Sequence, residues 1–290
     1  MEANHIPLPE RLRPKSLEQV QGQSVAVNAL RKWLDSGLLP SLIFYGPPGT
    51  GKTTLARVLA LETGRPFDAI NAVSSGVKDI RDLIEKARKS SLFEYQAKPL
   101  VFIDEIHRFN KSQQDGLLAA VEQGLFTLIG ATTENPSFEV NSALLSRCQV
   151  LTLQPLSTQE LNEVLQRALL EDAWLQERKV ELLQAEALIQ AGGGDARRML
   201  NALEMAVNYA FDGEKARIDG AVLAAALHAC CGSVAVQSWK SSNSALMRSM
   251  ASFCKTAASV SCTGGLTAVP VRAMRMGWAI LPMPTPVRSR

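Results

Sequence analysis

The residues with the clearest chemistry in this chain form a glycine-rich stretch. Gly46, Gly51, Lys52 and Thr53 fill the four fixed positions of the pattern G-x-x-x-x-G-K-[ST]. This pattern turns successive backbone N–H groups, an amine and a hydroxyl toward one point, and that arrangement binds the phosphates of a nucleotide. The predicted nucleotide-binding residues are Gly46, Pro47, Pro48, Gly49, Thr50, Gly51, Lys52, Thr53 and Thr54.

The segments on either side support this interpretation over a chance match in a glycine-rich turn. The apolar run 42–45 predicts a buried strand, and Leu55, Val58 and Leu59 have the spacing of a helix that begins after the turn. The positive end of that helix dipole adds to the anion site. We expect Lys52 to reach the β- and γ-phosphates of ATP and the Thr53 hydroxyl to hold Mg²⁺.

A second chemical signal is a pair of carboxylates. Four apolar residues, 100–103, precede Asp104 and Glu105 and predict a central parallel strand. Ligands of open α/β sheets bind at the carboxyl ends of the strands. Asp104 is therefore predicted to bind Mg²⁺ through its water shell, and Glu105 to polarise the attacking water. The alternative is a solvated turn, which the upstream phosphate loop disfavours.

The elements that position these residues alternate between strands and helices up to Leu153, which predicts an α/β fold with a doubly wound parallel sheet. After Pro155 the segments 158–171, 180–191, 195–211 and 219–229 have helical spacing with no strand-like run between them. We expect residues 1–154 to form the nucleotide-binding domain and 155–228 a small α-helical lid. Residues 229–290 are expected to form a poorly ordered tail.

Composition excludes several classes of protein. The chain is 46% hydrophobic and 20% charged, and it contains no run of eighteen apolar residues. Its charged start does not resemble a secretory signal, so we expect a cytoplasmic protein and no membrane. The five cysteines have neither zinc-ligand nor disulfide-framework spacing. Seven basic residues and no acidic residue follow Asp219, whereas the preceding part has 24 basic and 28 acidic residues.

Several motifs together resemble those of the AAA+ ATPases, in the order seen in clamp-loader-like members. The stretches 75–81, 107–115 and 129–141 are more specific and resemble the replication-associated recombination protein A family, whose eukaryotic relative is the Werner-helicase-interacting ATPase. The resemblance covers about residues 6–228. It implies a P-loop fold, ATP and Mg²⁺ as ligands, and ATP hydrolysis.

The resemblance also implies roles for individual residues. Lys52 and Thr53 correspond to the phosphate and Mg²⁺ ligands, Asp104 to the acidic metal residue and Glu105 to the catalytic base. Thr133, rather than its neighbour Thr132, corresponds to sensor 1. The residues from Pro7 to Gln23 resemble the segment that wraps the adenine.

Two arginines complete the resemblance. Arg147 corresponds to the arginine finger, which acts in the site of a neighbouring subunit, and Arg197 to sensor 2, which reaches the γ-phosphate from the lid. The residues alone also mark this region, because two adjacent arginines at a helix start oppose the helix dipole and suggest an anionic partner. Solvated surface arginines are the alternative.

Family members are DNA-stimulated ATPases in replication-fork maintenance, DNA repair and recombination, associate with single-strand DNA-binding protein and form homo-oligomers. The resemblance therefore implies DNA and that protein as partners and a nucleoid-associated location. Candidate DNA contacts are Lys78, Arg81, Arg108 and Lys111, and solvated helix charges are the equal alternative for each.

Three questions stay open at this point. A clamp-loader subunit or a branch-migration motor would share the phosphate loop and the carboxylates. A nucleotide-binding scaffold without turnover is a further alternative, because the oligomerisation domain of the family is not recognisable. The composition change near residue 229 suggests a translation out of frame, with a basic DNA-binding tail as the other interpretation.

Overall fold

The computed structural model describes residues 6–91 and 98–226, and its centre is a five-stranded parallel sheet. The strands stand in the order β2-β3-β4-β1-β5 and every neighbouring pair is parallel. Their carboxyl ends therefore meet at one edge, which confirms the predicted α/β fold class. The strands are β1 (Ser41–Tyr45), β2 (Phe67–Asn71), β3 (Leu100–Asp104), β4 (Thr127–Thr132) and β5 (Cys148–Thr152).

Helices cover both faces of this sheet, because the central strands are apolar on both sides. Along β1, Leu42 and Phe44 belong to one buried cluster, whereas Ile43 belongs to the cluster on the opposite face. This alternation follows from the two-residue period of a strand. In chain order, the helices that precede β5 are α1 (Leu8–Arg11), α2 (Ser24–Asp35), α3 (Lys52–Thr63), α4 (Val77–Ser91), α5 (Lys111–Glu122), α6 (Pro136–Glu139) and α7 (Ser142–Leu145).

Two helices begin at capping boxes that the sequence encodes locally. Asn110 and Gln113 exchange side-chain and backbone hydrogen bonds at the start of α5. Ser157 and Glu160 do the same at the start of the first helix after the sheet. Each box satisfies two backbone N–H groups that the helix start leaves without partners.

The part that follows the sheet is mainly helical. Its described helices are α8 (Thr158–Glu171), α9 (Ala173–Glu177), α10 (Ala185–Gly192) and α11 (Ala196–Ala210), and residues 220–226 are also helical. The expectation of no strand here was wrong, since β6 (Glu181–Leu182) pairs in parallel with β7 (Arg217–Ile218). A two-residue ladder is too short to show a strand period in a sequence. For the same reason the predicted helix at 180–191 begins later, at Ala185.

The lead-in segment, residues 7–23, precedes α2 and connects the sheet part with the helical part. Leu8 and Leu12 are buried in the core of the helical part, whereas Leu17 is buried against the sheet helices α2 and α3. The backbone N–H of Leu8 donates to the carboxylate of Glu204 in α11. The lead-in therefore packs into both cores. The predicted boundary at residue 154 stays a prediction, and the expected tail over 229–290 lies outside the described residues.

Within residues 6–91 and 98–226, every helix is too short or too polar to span a membrane.

Candidate nucleotide-binding site

One cavity lies where the carboxyl ends of the strands face α8 and α11. The connections after β1, β3 and β4 and the start of α11 all contribute residues to it. Because β4 stands between β1 and β3 in the sheet, its last residue lies between the phosphate loop and the carboxylate pair. The predicted site residues that line the cavity are Pro48, Gly49, Thr50, Gly51, Lys52, Thr53, Thr54, Asp104, Glu105, Thr133 and Arg197.

The phosphate loop has the conformation that its glycines permit. Gly49 and Gly51 have φ angles of +72° and +97°, which disfavour a side chain. Lys52 is the first residue of α3 and its side chain turns back over the loop. Its Nζ donates to the carbonyl oxygens of Gly46 at 2.6 Å and Pro47 at 2.8 Å. These two residues therefore contribute backbone acceptors beneath the loop, outside the cavity lining.

The electrostatics of the cavity suit an anion and a cation together. Burial lowers the pKa of Lys52, and the nearby Glu105 and Asp104 oppose that shift. Burial, and next the charge of Glu105, raises the pKa of Asp104. Each shift shows that the site disfavours these charges as they stand. Phosphate groups at Lys52 and a divalent cation at Asp104 would compensate them, so the donor set fits ATP with Mg²⁺.

The protein supplies few ligands for such a cation. The Thr53 hydroxyl and the Asp104 carboxylate line the same cavity. Across the described ranges no group of three or more His, Cys, Asp or Glu residues could hold a metal. Mg²⁺ is commonly bound through one or two protein ligands together with waters and the phosphates of the substrate. The residues present therefore fit Mg²⁺ in that mode.

Two consecutive threonines at the end of β4 have different environments. Thr133 lines the cavity, and its hydroxyl donates to Glu105 Oε2 at 3.2 Å. Thr132 is fully buried, and its Oγ1 lies 2.9 Å from His107 Nδ1. The geometry brings Thr133 to the carboxylate pair, as expected of the sensor 1 candidate, while its role stays a prediction.

The helical part contributes the start of α11. Asp195 caps this helix, because its Oδ1 accepts from the backbone N–H of Arg198 at 3.0 Å. The same carboxylate lies against the phosphate loop, so that a Cβ on Gly49 would stand 1.8 Å from Asp195 Oδ1. Arg197 extends from the first turn into the cavity. The two parts of the molecule therefore touch directly over the phosphate loop.

Arg167 of α8 is a cavity residue that the sequence analysis missed. Its Nη1 donates to the carbonyl oxygen of Gln19 at 2.8 Å and its Nη2 to that of Leu12 at 2.5 Å. Both acceptors belong to the lead-in segment, so Arg167 fastens that segment to the helical part beside the cavity. A single arginine in an amphipathic helix carries no signal that could have identified it.

Arg147 stands apart from the cavity. Its side chain is 42% exposed, and its Nη2 pairs with Glu122 Oε1 at 2.5 Å. Its Nη1 donates to the carbonyl oxygen of Ala143, which anchors the side chain to α7. Within the described part of the chain, Arg147 is thus the predicted catalytic residue that the fold leaves at the surface.

Comparison with known proteins gives a consistent assignment. Residues 42–156 match the family described as "ATPase family associated with various cellular activities (AAA)". The chain is 46% identical over 218 residues to replication-associated recombination protein A of Haemophilus influenzae, covering 73% of this chain and 48% of that protein. It is 45% identical over 206 residues to "ATPase WRNIP1" of Dictyostelium discoideum, covering 69% of this chain and 23% of that protein.

A solved structure shows the same fold. The RuvB Holliday junction branch migration motor of Thermotoga maritima superposes with a TM-score of 0.63 and 29% identity, covering 75% of this chain and 72% of that chain.

These similarities differ in degree between the two kinds of relative. Identity is higher to the recombination proteins, at 46%, than to the branch migration motor, at 29%. The chain spans about half the length of the bacterial recombination proteins of Haemophilus influenzae and Escherichia coli. Residues 42–156 therefore form a domain of the AAA family of ATPases, and the chain is similar to replication-associated recombination protein A over about half the length of that protein.

Proposed function

We propose that this chain is a Mg²⁺-dependent, DNA-stimulated ATPase in replication-fork maintenance, DNA repair and recombination. The observation that carries the proposal is one cavity that Lys52, Asp104, Glu105 and Arg197 all line. This is the set of charges that phosphoryl transfer to water requires. The names of the relatives, which refer to replication-associated recombination, support the biological setting.

In the proposed binding step, Lys52 exchanges its loop carbonyl acceptors for phosphate oxygens. The buried amine then donates to charged phosphate oxygens and no longer to two neutral carbonyl oxygens, and hydrogen bonds to a charged acceptor are stronger. Thr53 and Asp104 would hold Mg²⁺, which neutralises charge on the phosphates as the bond breaks. The N–H groups at the start of α3 bind the phosphates from the other side.

In the proposed hydrolytic step, Glu105 accepts a proton from the water that attacks the γ-phosphate. Thr133 holds one oxygen of that carboxylate, as its hydrogen bond to Oε2 suggests. Arg197 stabilises the negative charge that develops on the transferred group. Arg197 belongs to the helical part, so the site draws its charges from both parts of the molecule.

Arg147 is proposed to act in the site of a second copy. Its exposure and its absence from the cavity lining suit an arginine supplied in trans. Hydrolysis would then depend on assembly into a homo-oligomer. We assign residues 1–154 to the nucleotide-binding domain, 155–228 to the lid and 229–290 to a basic tail.

DNA is the proposed macromolecular partner, with single-strand DNA-binding protein as a second one. Lys78, Arg81, Arg108 and Lys111 are all exposed, as DNA contacts must be. A protein with these partners would work in the cytoplasm at the nucleoid.

The surface position of Arg147 favours one second candidate, a nucleotide-binding scaffold without turnover. If no second copy accepts Arg147, the cavity lacks one of the charges that speed hydrolysis. The scaffold would bind ATP, and its binding partners would depend on the state of the bound nucleotide.

The test is ATP turnover per chain against protein concentration, with and without forked DNA that carries a single-stranded gap. Glu105→Gln serves as the blank. We expect the wild-type rate to rise with concentration and with DNA while the blank stays flat. A wild-type rate at the level of the blank, with ATP still bound, would reject the ATPase proposal in favour of the scaffold.

A further inference from the structure

A buried histidine lies directly behind the carboxylate pair. His107 belongs to the 3-10 turn Ile106–Arg108 that follows β3, and its side chain is 4% exposed. Its two ring nitrogens face two different carboxylates. Nδ1 lies 3.3 Å from Glu105 Oε2, and Nε2 lies 3.5 Å from Glu134 Oε1. The proposed function does not use this residue.

The surrounding hydrogen bonds indicate which nitrogen carries the hydrogen. The Thr132 hydroxyl has an acceptor of its own, the carbonyl oxygen of Glu134 at 3.1 Å. Its oxygen can therefore accept from His107 Nδ1, which lies 2.9 Å away. An unprotonated Nδ1 would instead direct its lone pair at the Glu105 carboxylate. A hydrogen on Nδ1 donates to the Thr132 oxygen and places a positive rather than a negative end of the N–H dipole beside the Glu105 carboxylate.

The backbone of Glu105 gives a reason for such support. Its φ angle is +53°, a left-handed conformation that is uncommon for residues other than glycine. Conformations of this kind persist where surrounding contacts hold them, and they concentrate at active sites. The carboxylate receives such contacts at one oxygen, Oε2, from Thr133 and from His107. No hydrogen bond to the other oxygen, Oε1, occurs within the described ranges, so Oε1 is the atom available to a water.

We propose that His107 is a positioning residue for Glu105. It fixes Oε2 through Nδ1, so that Oε1 faces the cavity. The inference rests on the proposed function, because it requires Glu105 to act as the base. It follows the general arrangement in which a third group orients the base of a catalytic pair. A histidine that only fills the core would not need either carboxylate.

The test compares His107→Leu, which keeps most of the buried volume without ring nitrogens, with His107→Gln, which keeps an N–H donor. We expect His107→Leu to lower kcat by about tenfold or more, because a displaced base loses its alignment with the reacting atoms. KM for ATP is expected to stay within about twofold, since the ring does not line the cavity. His107→Gln should recover part of the loss. Phe109→Leu, a change at another buried residue of the same region, is the matched control and should keep kcat within about twofold.

A double variant separates positioning from a structural role. In the Glu105→Gln background, His107→Leu is expected to change the residual rate by less than about twofold, because the base on which it acts is already absent. A full additional loss there, or an equal loss with Phe109→Leu, would overturn the inference. Weakened ATP binding that accounts for the whole effect would overturn it as well.

A measurement without turnover completes the design. In protein labelled with ¹⁵N-histidine, the Nδ1 resonance of His107 is expected to move in Glu105→Gln. An unmoved resonance would overturn the inference and leave the ATPase proposal intact. A wild-type rate equal to the Glu105→Gln blank would overturn both.

Discussion

The sheet part and the helical part of this molecule reach the same cavity in different ways. In the sheet part the functional groups follow their strands directly, as Lys52 follows β1 and Glu105 follows β3. In the helical part they depend on contacts between residues far apart in the chain, such as that of Arg167 with the carbonyl oxygen of Leu12, 155 positions away. One half of the site is therefore determined by local sequence and the other half by packing.

The largest effect is expected for a substitution in the sheet part, where the functional groups follow their strands directly. Lys52→Met should lower ATP turnover by at least about 100-fold, because it removes a positive charge aimed at the phosphates. Folding should persist, since burial already disfavours the charged amine and lowers its pKa. Because folding lowers the pKa of Lys52, the free energy of unfolding of the wild type should increase with pH between the pKa of Lys52 in the folded state and its pKa in the unfolded state. Lys52→Met has no amine to titrate and should lack this increase. Turnover assays and urea unfolding at several pH values check both expectations; a variant that keeps turnover would break the comparison.

The next effect concerns the packed half. Arg11 makes a two-point contact with Asp172, with Nε–Oδ2 at 2.8 Å, and its Nη1 lies 3.5 Å from Glu204. Arg11→Met should lower the free energy of unfolding by about 2–3 kcal/mol, because it leaves the mostly buried carboxylate of Asp172 without its cation. Urea unfolding measures the change. Arg57→Met is the control, since the pair of Arg57 with Glu10 is exposed and should be worth less than about 1 kcal/mol. Equal losses of unfolding free energy in the two variants would argue that Arg11 does not stabilise the packing of the lead-in segment on the helical part.

A third prediction addresses the contact between the halves. Gly49→Ala should lower turnover by about tenfold, because the added Cβ would collide with Asp195 and the backbone has φ +72°. Asp195→Ser in the same chain shortens the colliding group and keeps a helix cap, so the double variant should recover part of the loss. The remaining loss measures the backbone strain. A double variant no better than Gly49→Ala would show that the collision is not the cause.

The smallest effect is expected at the surface. Glu122→Gln frees Arg147 from an ion pair in which both side chains are more than 40% exposed. The free energy of unfolding should change by less than about 1 kcal/mol. The protein concentration for half-maximal turnover should fall by up to about fivefold, because Arg147 no longer has to break an ion pair before it enters the site of a second copy. Arg147→Gln removes the proposed arginine finger and is the reference. A Glu122→Gln variant with the same concentration dependence of turnover as Arg147→Gln would contradict the proposal that Arg147 acts in a second copy.

Much of the sheet part could be predicted from the sequence, for the physical reason that apolar runs report buried strands. The run before Asp104 identified β3, and the glycine pattern identified the loop before Lys52. Thr133 could be preferred over Thr132 only through the family resemblance. The period of two places these neighbours on opposite faces but does not tell which face meets the cavity.

The helical part was predicted less completely. The short β6–β7 pair, the role of Arg167 and the burial of Leu8 and Leu12 in the helical core were all missed. Each of them depends on residues far apart in the chain, which periodicity cannot report. His107 was quoted within a motif, but only the structure shows the two carboxylates beside its ring.

The lead-in segment has a consequence for the order in which the molecule can form during synthesis. Leu8 leaves the ribosome long before its backbone partner Glu204, which lies 196 positions later in the chain. The sheet part can complete its strands after residue 152, whereas the lead-in must wait for α11 before it can dock. Since long-range contacts are slow to form, closing this segment should be the late step of folding, and the cavity beside it should become competent only then.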